Sequence, residues 1–226
     1  MKPTGHPQID SSTDEWIVGS DEAGFGSWAG PLTVAAVALP RTWYDPDVND
    51  SKKFSSDSAK SLRDQLFKKY TTQQPVMFHL VAVSNDEIDR VGMSKVIHQA
   101  HRKALETVIQ KLGRPCLKIV DGYKDGTKLI GLPGLIGLPK ADSLIPAVSL
   151  ASIIAKVAHD IMMRQFDTKY PGYGFGQHVG YGTAQHDLAL KRLGPCPIHR
   201  KSYGPVAKVL RSGVDTQLRE AWEDLD

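Results

Sequence analysis

The chain has only two cysteines among its 226 residues, Cys116 and Cys196. They lie far apart and show no metal-type spacing, which excludes a disulfide framework and a Cys-based zinc module and favours a reduced, cytoplasmic protein. No apolar run reaches the about 18 residues of a membrane span, and no apolar h-region opens the chain. Internal repeats and low-complexity tracts are absent as well. Neither sign of charge dominates: 28 lysines and arginines stand against 25 aspartates and glutamates, and the net charge of +3 permits a nucleic-acid partner without demonstrating one. Apolar residues make up 41%, enough for a sizeable core.

The most informative stretch is Ile17 to Val34, IVGSDEAGFGSWAGPLTV. Two apolar runs bounded by glycine predict buried strands near 15–20 and 31–39 joined by a turn. The adjacent acids Asp21 and Glu22 end the first. A carboxylate buried without a partner is costly, so this pair is expected to meet a cation, a metal or a proton. Neighbours in a regular strand point to opposite faces. For both acids to serve one site, the strand is expected to twist or bulge at its end. Glycines at 24, 26 and 30 let a backbone or a ligand come close.

Further along, Val76 to Val83 and Cys116 to Val120 predict strands, and 129–138 holds one short strand broken by glycine and proline. Apolar residues at helical spacing predict helices over 55–70, 93–112, 146–170 and 183–193, with Thr183 as an N-cap. A C-terminal helix is expected over 215–225. Glycine-rich loops fill 171–182 and 194–205. The expected organisation is a disordered lead-in over 1–13, an α/β catalytic domain with a mixed five-stranded sheet over 14–160, and a helical C-terminal extension over 161–226 packed on the same domain.

Two more acids fall at comparable places. Asp121 ends an apolar run, and Asp142 follows the next one. Sites in open α/β sheets form where strand ends converge. Four carboxylates there suit magnesium or manganese, and two such ions about 4 Å apart stabilise both oxygens of a phosphodiester displacement. Taken singly, each acid has another reading: Asp121-Gly122 as a turn, Asp142 as a helix cap, and Glu22 as a solvated strand-end charge.

The set DEAGFGSWAGP, DSKK at 50–53, VDG at 120–122, KAD at 140–142, PAVSLASIIAKVAHD at 146–160, YPGYGF, GYGT and PIHRKSYGPV resembles type 2 ribonuclease H (ribonuclease HII) over about 15–206. The resemblance implies a ribonuclease H-like fold with a helical C-terminal extension. It implies metal-dependent endonucleolytic cleavage of RNA in RNA–DNA hybrids and at single ribonucleotides embedded in duplex DNA, leaving 3′-hydroxyl and 5′-phosphate ends. The metal-binding catalytic acids it implies are Asp21, Glu22, Asp121 and Asp142, with two Mg2+ or Mn2+ ions. It implies that Gly24, Phe25 and Gly26 meet the 2′-hydroxyl and that Tyr181 packs against the junction nucleotide; the other reading of Tyr181 is core packing. Lys52, Lys53, Lys156, His199, Arg200 and Lys201 are candidates for phosphate contacts, or else an ordinary solvated face. His178, His186 and Cys196 read as packing or surface residues. The expected partners are RNA–DNA hybrid and ribonucleotide-containing duplex, acted on by a monomer without a membrane.

The chain departs from the family pattern at four places. Phe25 stands for arginine, Ser27 for proline, Val179 for lysine, and Ala158-His159 for threonine–arginine. Each change removes or moves a polar contact. Two other functions fit the same residues: a broader hybrid ribonuclease with weak junction preference, similar to the type 3 enzyme, and a catalytically silent hybrid-binding module.

Overall fold

A computed structural model describes residues 4–48, 57–73, 76–122 and 130–212. Two compact units make up the chain. The first takes Met1–Ala23, Thr33–Val81 and Ile97–Val157, and the second Gly24–Leu32, Ala82–Val96 and Ala158–Asp226.

The first unit is built on a mixed five-stranded sheet in the order β3-β2-β1-β4-β5. Its strands are β1 (Trp16–Ala23), β2 (Leu32–Pro40), β3 (Met77–Val83), β4 (Leu117–Asp121) and β5 (Leu135–Leu138). Strand β1 is antiparallel to β2 and parallel to β4, and β4 is parallel to β5. Val18, Val34, Ala35, Ala36, Val37, Ile119 and Val120 are all fully buried. Near-continuous apolar runs of this kind belong to strands covered on both faces. The covering helices include α4 (Met93–Leu112) and the leading part of α5 (Pro146–Lys169). Helix α4 buries Ala100, Ala104, Leu105 and Val108, the one-sided stripe that its 3.6-residue period predicts.

Helix α5 is long and apolar enough to cross a membrane by length and composition alone, yet 72% of its most apolar window is buried within the chain. It is a core helix, and its close approach to the sheet depends on Gly19. A side chain at that position would place its Cβ 2.5 Å from the backbone nitrogen of Val148.

Residues 4–13 do not form the disordered lead-in expected of them. They hold a short helix, α1 (Pro7–Asp10), whose Ile9 is fully buried. The Arg41 guanidinium donates to the carbonyls of Ser12 and Ile9 at 2.7 and 2.8 Å. One apolar anchor and one cation are enough to order so polar a stretch. Helix α2 (Asp57–Lys68) continues as one π turn over Lys69–Gln73. The expected cap at Ser55 or Ser56 and the helix over 215–225 lie outside the described residues.

The second unit holds the loop Gly24–Leu32, α3 (Asn85–Val91), the trailing part of α5, and three further helices. These are α6 (Phe175–His178), α7 (Ala184–Leu193) and α8 (Gly204–Arg211). Thr183 caps α7 by accepting from the His186 amide, as expected. Helices α3 and α8 go beyond the elements expected from the sequence. For α3 a signal was present: Ser84 and Glu87 have capping-box spacing, and Ser84 Oγ accepts the Glu87 amide at 3.2 Å. The core of this unit packs Met163, Tyr170, Tyr173, Phe175, Cys196 and Ile198.

Gly19→Ala should destabilise the protein by about 1–3 kcal/mol, the usual cost of overpacking, because the nearest atom it meets, the Val148 nitrogen, and the Ala147 carbonyl carbon are helix backbone and cannot rotate away. Urea unfolding of the variant against wild type measures this; an unchanged midpoint would mean that α5 shifts freely on the sheet.

Candidate active site

The first unit gathers acids at the carboxyl ends of its parallel strands. The paired register of β1 and β4 ends at Ser20 and Val120, so Asp21 and Asp121 are the next residues on neighbouring strands. Strand β5 runs to Leu138, opposite Asp121. The chain then turns through Lys140, in the left-handed region at φ 61°, into a 3-10 turn, Ala141–Ser143, that carries Asp142. Helix α5 begins three residues later, so Asp142 is not its N-cap.

The strand neither twists out nor bulges at the two acids. Asp21 pairs with Ala35 and Glu22 with Val34 in unbroken register. The two side chains therefore leave opposite faces of the pleat. Gly19 and Asp21 face α5, where Ser152 hydrogen-bonds the Asp21 carboxyl. Ser20 and Glu22 face α4, where His101 meets both: Nδ1 lies 2.8 Å from Ser20 Oγ and Nε2 lies 3.1 Å from Glu22 Oε2. His101 is fully buried and was missed in the sequence. Nothing in its spacing tells a buried helix histidine from a packed one.

Electrostatics tie the acids together. Burial raises the Asp21 carboxyl well above the ordinary range, and the charges of Glu22 and Asp121 push the same way. Asp121 is raised by burial first and then by Asp142 and Glu22, although its carboxylate accepts the backbone amides of Ala141 and Asp142 at 2.5 and 3.4 Å. All four acids thus belong to one network of like charge. An all-oxygen, like-charged donor set suits a hard divalent cation, which would relieve the repulsion. Among the described residues, no three side chains already form a tight metal cage; Glu22 is engaged by His101 and Asp121 by the 141–142 turn.

The second unit carries the loop that resembles the hydroxyl-reading element. Gly24 has φ 83°, and a Cβ there would meet the His159 ring at 2.6 Å, so the loop lies directly on that buried imidazole. The Gly24 amide donates to Tyr181 Oη at 3.3 Å, and Tyr181 forms an antiparallel bridge with Ser27. The Phe25 carbonyl accepts from Arg200 at 3.0 Å and from Tyr203 Oη at 2.8 Å. Among the described residues, the amides of Phe25 and Gly26 have no acceptor. Both residues are exposed, and a Cβ on Gly26 would meet only the edge of Tyr181, at 3.9 Å. The loop therefore offers two free donors on an open, rigid backbone.

Two of the basic residues expected at phosphates are placed elsewhere. Arg200 is fully buried, and its guanidinium also donates to the Gly30 and Pro31 carbonyls at 3.1 and 3.0 Å. It clamps the loop from behind. His199 is likewise fully buried, with Nε2 3.1 Å from His186 Nε2. Both lose the water that a phosphate contact needs and gain backbone and imidazole partners instead. Lys156 is half-buried on α5 and Lys201 is exposed; Lys52 and Lys53 lie outside the described residues. Val179 sits in the left-handed region at φ 44° and packs on the Tyr173–Phe175 cluster. His178, His186 and Cys196 are buried rather than at the surface; burial pushes the Cys196 thiol up to about 12.

A mixed sheet with coupled acids at its parallel strand ends defines a metal-dependent phosphodiesterase of the ribonuclease H type. The ribonuclease HII family model matches residues 18–206. Ribonuclease HII from Carboxydothermus hydrogenoformans is 39% identical over 201 residues, covering 88% of this chain and 81% of that protein. Among solved structures, ribonuclease H2 from Pyrococcus horikoshii OT3 superposes with a TM-score of 0.68 at 25% identity, covering 87% of this chain and 98% of that one. Bst-RNase HIII in complex with Mn2+ gives 0.70 at 20% identity, covering 93% and 74%. The chain belongs to the ribonuclease HII family and is a metal-dependent ribonuclease acting on RNA–DNA hybrids.

Asp21→Asn should nearly abolish turnover while raising the melting temperature in chelator. A carboxyl raised in the fold favours folding only while protonated, and that contribution is lost as pH rises through the folded value. Removing the charge removes the penalty at neutral pH. Melting scans in EDTA check this, and a lower melting temperature would show that the Asp21 charge is stabilising.

A second prediction concerns acid. Burial lowers His186 to about 4 and His199 to about 3. The unfolded chain takes up protons near 6.5 that these rings refuse in the fold. Their contribution is complete above about pH 6.5 and is lost progressively as pH falls toward about 4 for His186 and about 3 for His199. The pH dependence of the unfolding midpoint should flatten over that window in His199→Gln.

Proposed function

We propose that the protein hydrolyses the strand at ribonucleotides within duplex nucleic acid, including a single ribonucleotide embedded in DNA, as well as the RNA of uniform hybrids. Asp21, Glu22, Asp121 and Asp142 are the residues that would hold two divalent cations. Bound magnesium or manganese supplies a Lewis acid for water activation and for the charge that develops on the phosphodiester. The acids keep the site anionic, which favours cations. His101 orients Glu22 from α4, and Ser152 orients Asp21 from α5. In this reading the products carry 3′-hydroxyl and 5′-phosphate ends.

The observation that carries the ribonucleotide preference is the pair of free amides at Phe25 and Gly26. The loop's carbonyl at Phe25 is tied down by Arg200 and Tyr203, while these two amides belong to exposed residues and have no acceptor among the described residues. Two fixed N–H groups are complementary to a 2′-hydroxyl, which accepts as well as donates and is what separates RNA from DNA. The phenylalanine at position 25 leaves this backbone contact intact and removes only a side-chain charge. Tyr181, half-buried, supplies a flat face for the neighbouring sugar or base. Deoxyribonucleotide offers the loop nothing to bond, so an all-DNA duplex should resist cleavage.

The test compares three duplexes in Mg2+ or Mn2+: DNA with one ribonucleotide, a uniform hybrid, and all-DNA. The first two should be cleaved with defined ends and the third left whole. Cleavage of the uniform hybrid alone would favour the broader hybrid ribonuclease, and no cleavage of either would favour a binding module. Tyr181→Ala should lower kcat/KM on the single-ribonucleotide duplex by about ten- to a hundred-fold, the worth of one stacking platform, and by less on the hybrid. An equal small loss on both substrates would make Tyr181 structural.

A further inference from the structure

The second unit contains a buried chain of hydrogen bonds whose direction is fixed by chemistry. The carbonyl of Tyr181 can only accept. His186 Nδ1 lies 3.0 Å from it and so carries that ring's proton. In the neutral ring, His186 Nε2 is then a lone pair. His199 Nε2, 3.1 Å away, must donate to it. That leaves His199 Nδ1 as an acceptor, and the Cys196 amide donates to it at 3.0 Å. Three bonds therefore run one way, from the Cys196 amide through both imidazoles to Tyr181. Neither ring has a nitrogen to spare.

Packing holds the two rings in place. Both are fully buried. His186 stacks on His178 with centroids 4.4 Å apart and planes within 13°. Phe175 presents its edge to His186 at 5.5 Å, and Tyr173 lies 5.1 Å from His199. The loop that carries His199 is anchored in turn by α3. Asn85 Nδ2 donates to the Pro197 carbonyl at 2.9 Å, and Asp89 accepts the amides of Lys201 and Ser202 at 2.7 and 2.9 Å. The next residue, Arg200, clamps Phe25.

We propose that His186 and His199 are positioning residues for ribonucleotide recognition, acting through the backbone of Tyr181. The proposal rests on the reading of Tyr181 as the nucleotide-facing tyrosine. The Tyr181 carbonyl also accepts the Thr183 amide at 2.8 Å, and its own amide donates to the His178 carbonyl at 3.0 Å. The imidazole bond adds a side-chain contact to that carbonyl. It fixes the peptide plane, and with it the direction in which the phenol leaves the chain toward the Gly24 amide. An apolar pair of the same size would fill the space without setting that direction. His199 thus serves the tyrosine and Arg200 the loop, so one dipeptide sets both recognition elements from inside the protein.

The test measures kcat/KM on the single-ribonucleotide duplex and on the uniform hybrid for His199→Leu, His199→Gln, His186→Gln and Tyr181→Ala, and for His199→Leu combined with Tyr181→Ala. Glutamine at 199 can place an amide donor where Nε2 was, and should keep the selectivity ratio between the two substrates. Leucine at 199 breaks the chain, and the ratio should fall by about ten-fold, the lower end of a lost stacking platform. Combined with Tyr181→Ala it should cause no further fall, because the two act through one element. Where His199→Leu does not fold, His186→Gln takes its place: its amide reaches the Nε2 position and abandons the Tyr181 carbonyl, so the ratio should fall as well. A ratio unchanged in the His variants while Tyr181→Ala lowers it would overturn the positioning role, and so would losses that simply add in the double variant. A ratio unchanged in Tyr181→Ala itself would overturn the reading of Tyr181, and the proposal with it.

Discussion

Burial beside like charge raises the carboxyls of Asp21 and Asp121, and the first unit is arranged around that repulsion. Strands β1 and β4 run parallel and stop pairing at the same level, so the next residue on each is an aspartate. The chain after β5 returns to the same end and adds Asp142. A fold under no functional demand would place neutral residues there, because each desolvated carboxylate opposes stability. The surrounding structure offsets part of the cost locally. Ser152 bonds Asp21, two backbone amides bond Asp121, and His101 bonds Glu22. What remains is a standing preference for cations at the carboxyl edge of the sheet.

The second unit answers a different constraint, the placement of backbone donors. A loop can present free amides only if its other polar groups are satisfied and its path is fixed. Arg200 does this with a buried guanidinium that bonds three carbonyls, at Phe25, Gly30 and Pro31. Burying a cation this way is tolerable because its donors are matched to acceptors and Tyr203 adds another. The result is rigidity gained from polar rather than apolar contacts. It explains how Phe25 can be half-exposed while its carbonyl is immobile.

Much of this was legible in the residues. The glycine-bounded apolar runs, the period of α4 and the cap at Thr183 each stated a local rule that the structure obeys. The four acids were legible as a group because they recur at the ends of apolar runs. What escaped was long-range. Asp21 and Glu22 lie inside a regular strand, and only the positions of α4 and α5 reveal that they face opposite ways. His101 sits 79 positions from Glu22, with no local pattern to mark it. Arg200 and His199 looked like a basic surface because they lie among prolines and glycines beside Lys201. Their partners come from carbonyls 169 to 175 positions away and from a histidine on another helix. Residues 4–13 read as lead-in because polarity outweighed Ile9, whereas one buried side chain and the Arg41 bonds decided the outcome.

The central claim is that Asp21 and Glu22, leaving opposite faces of one strand end, join Asp121 and Asp142 in one site for divalent cations. Calorimetric titration of Mn2+ into wild type and Glu22→Gln tests it most directly, since Glu22 is the acid that His101 engages on the α4 side of the strand. The account predicts saturable binding by wild type and clearly weaker binding by the variant, at equal folded fraction. Binding of the variant with wild-type affinity and stoichiometry would contradict it, and would leave Glu22 as a partner of His101 alone.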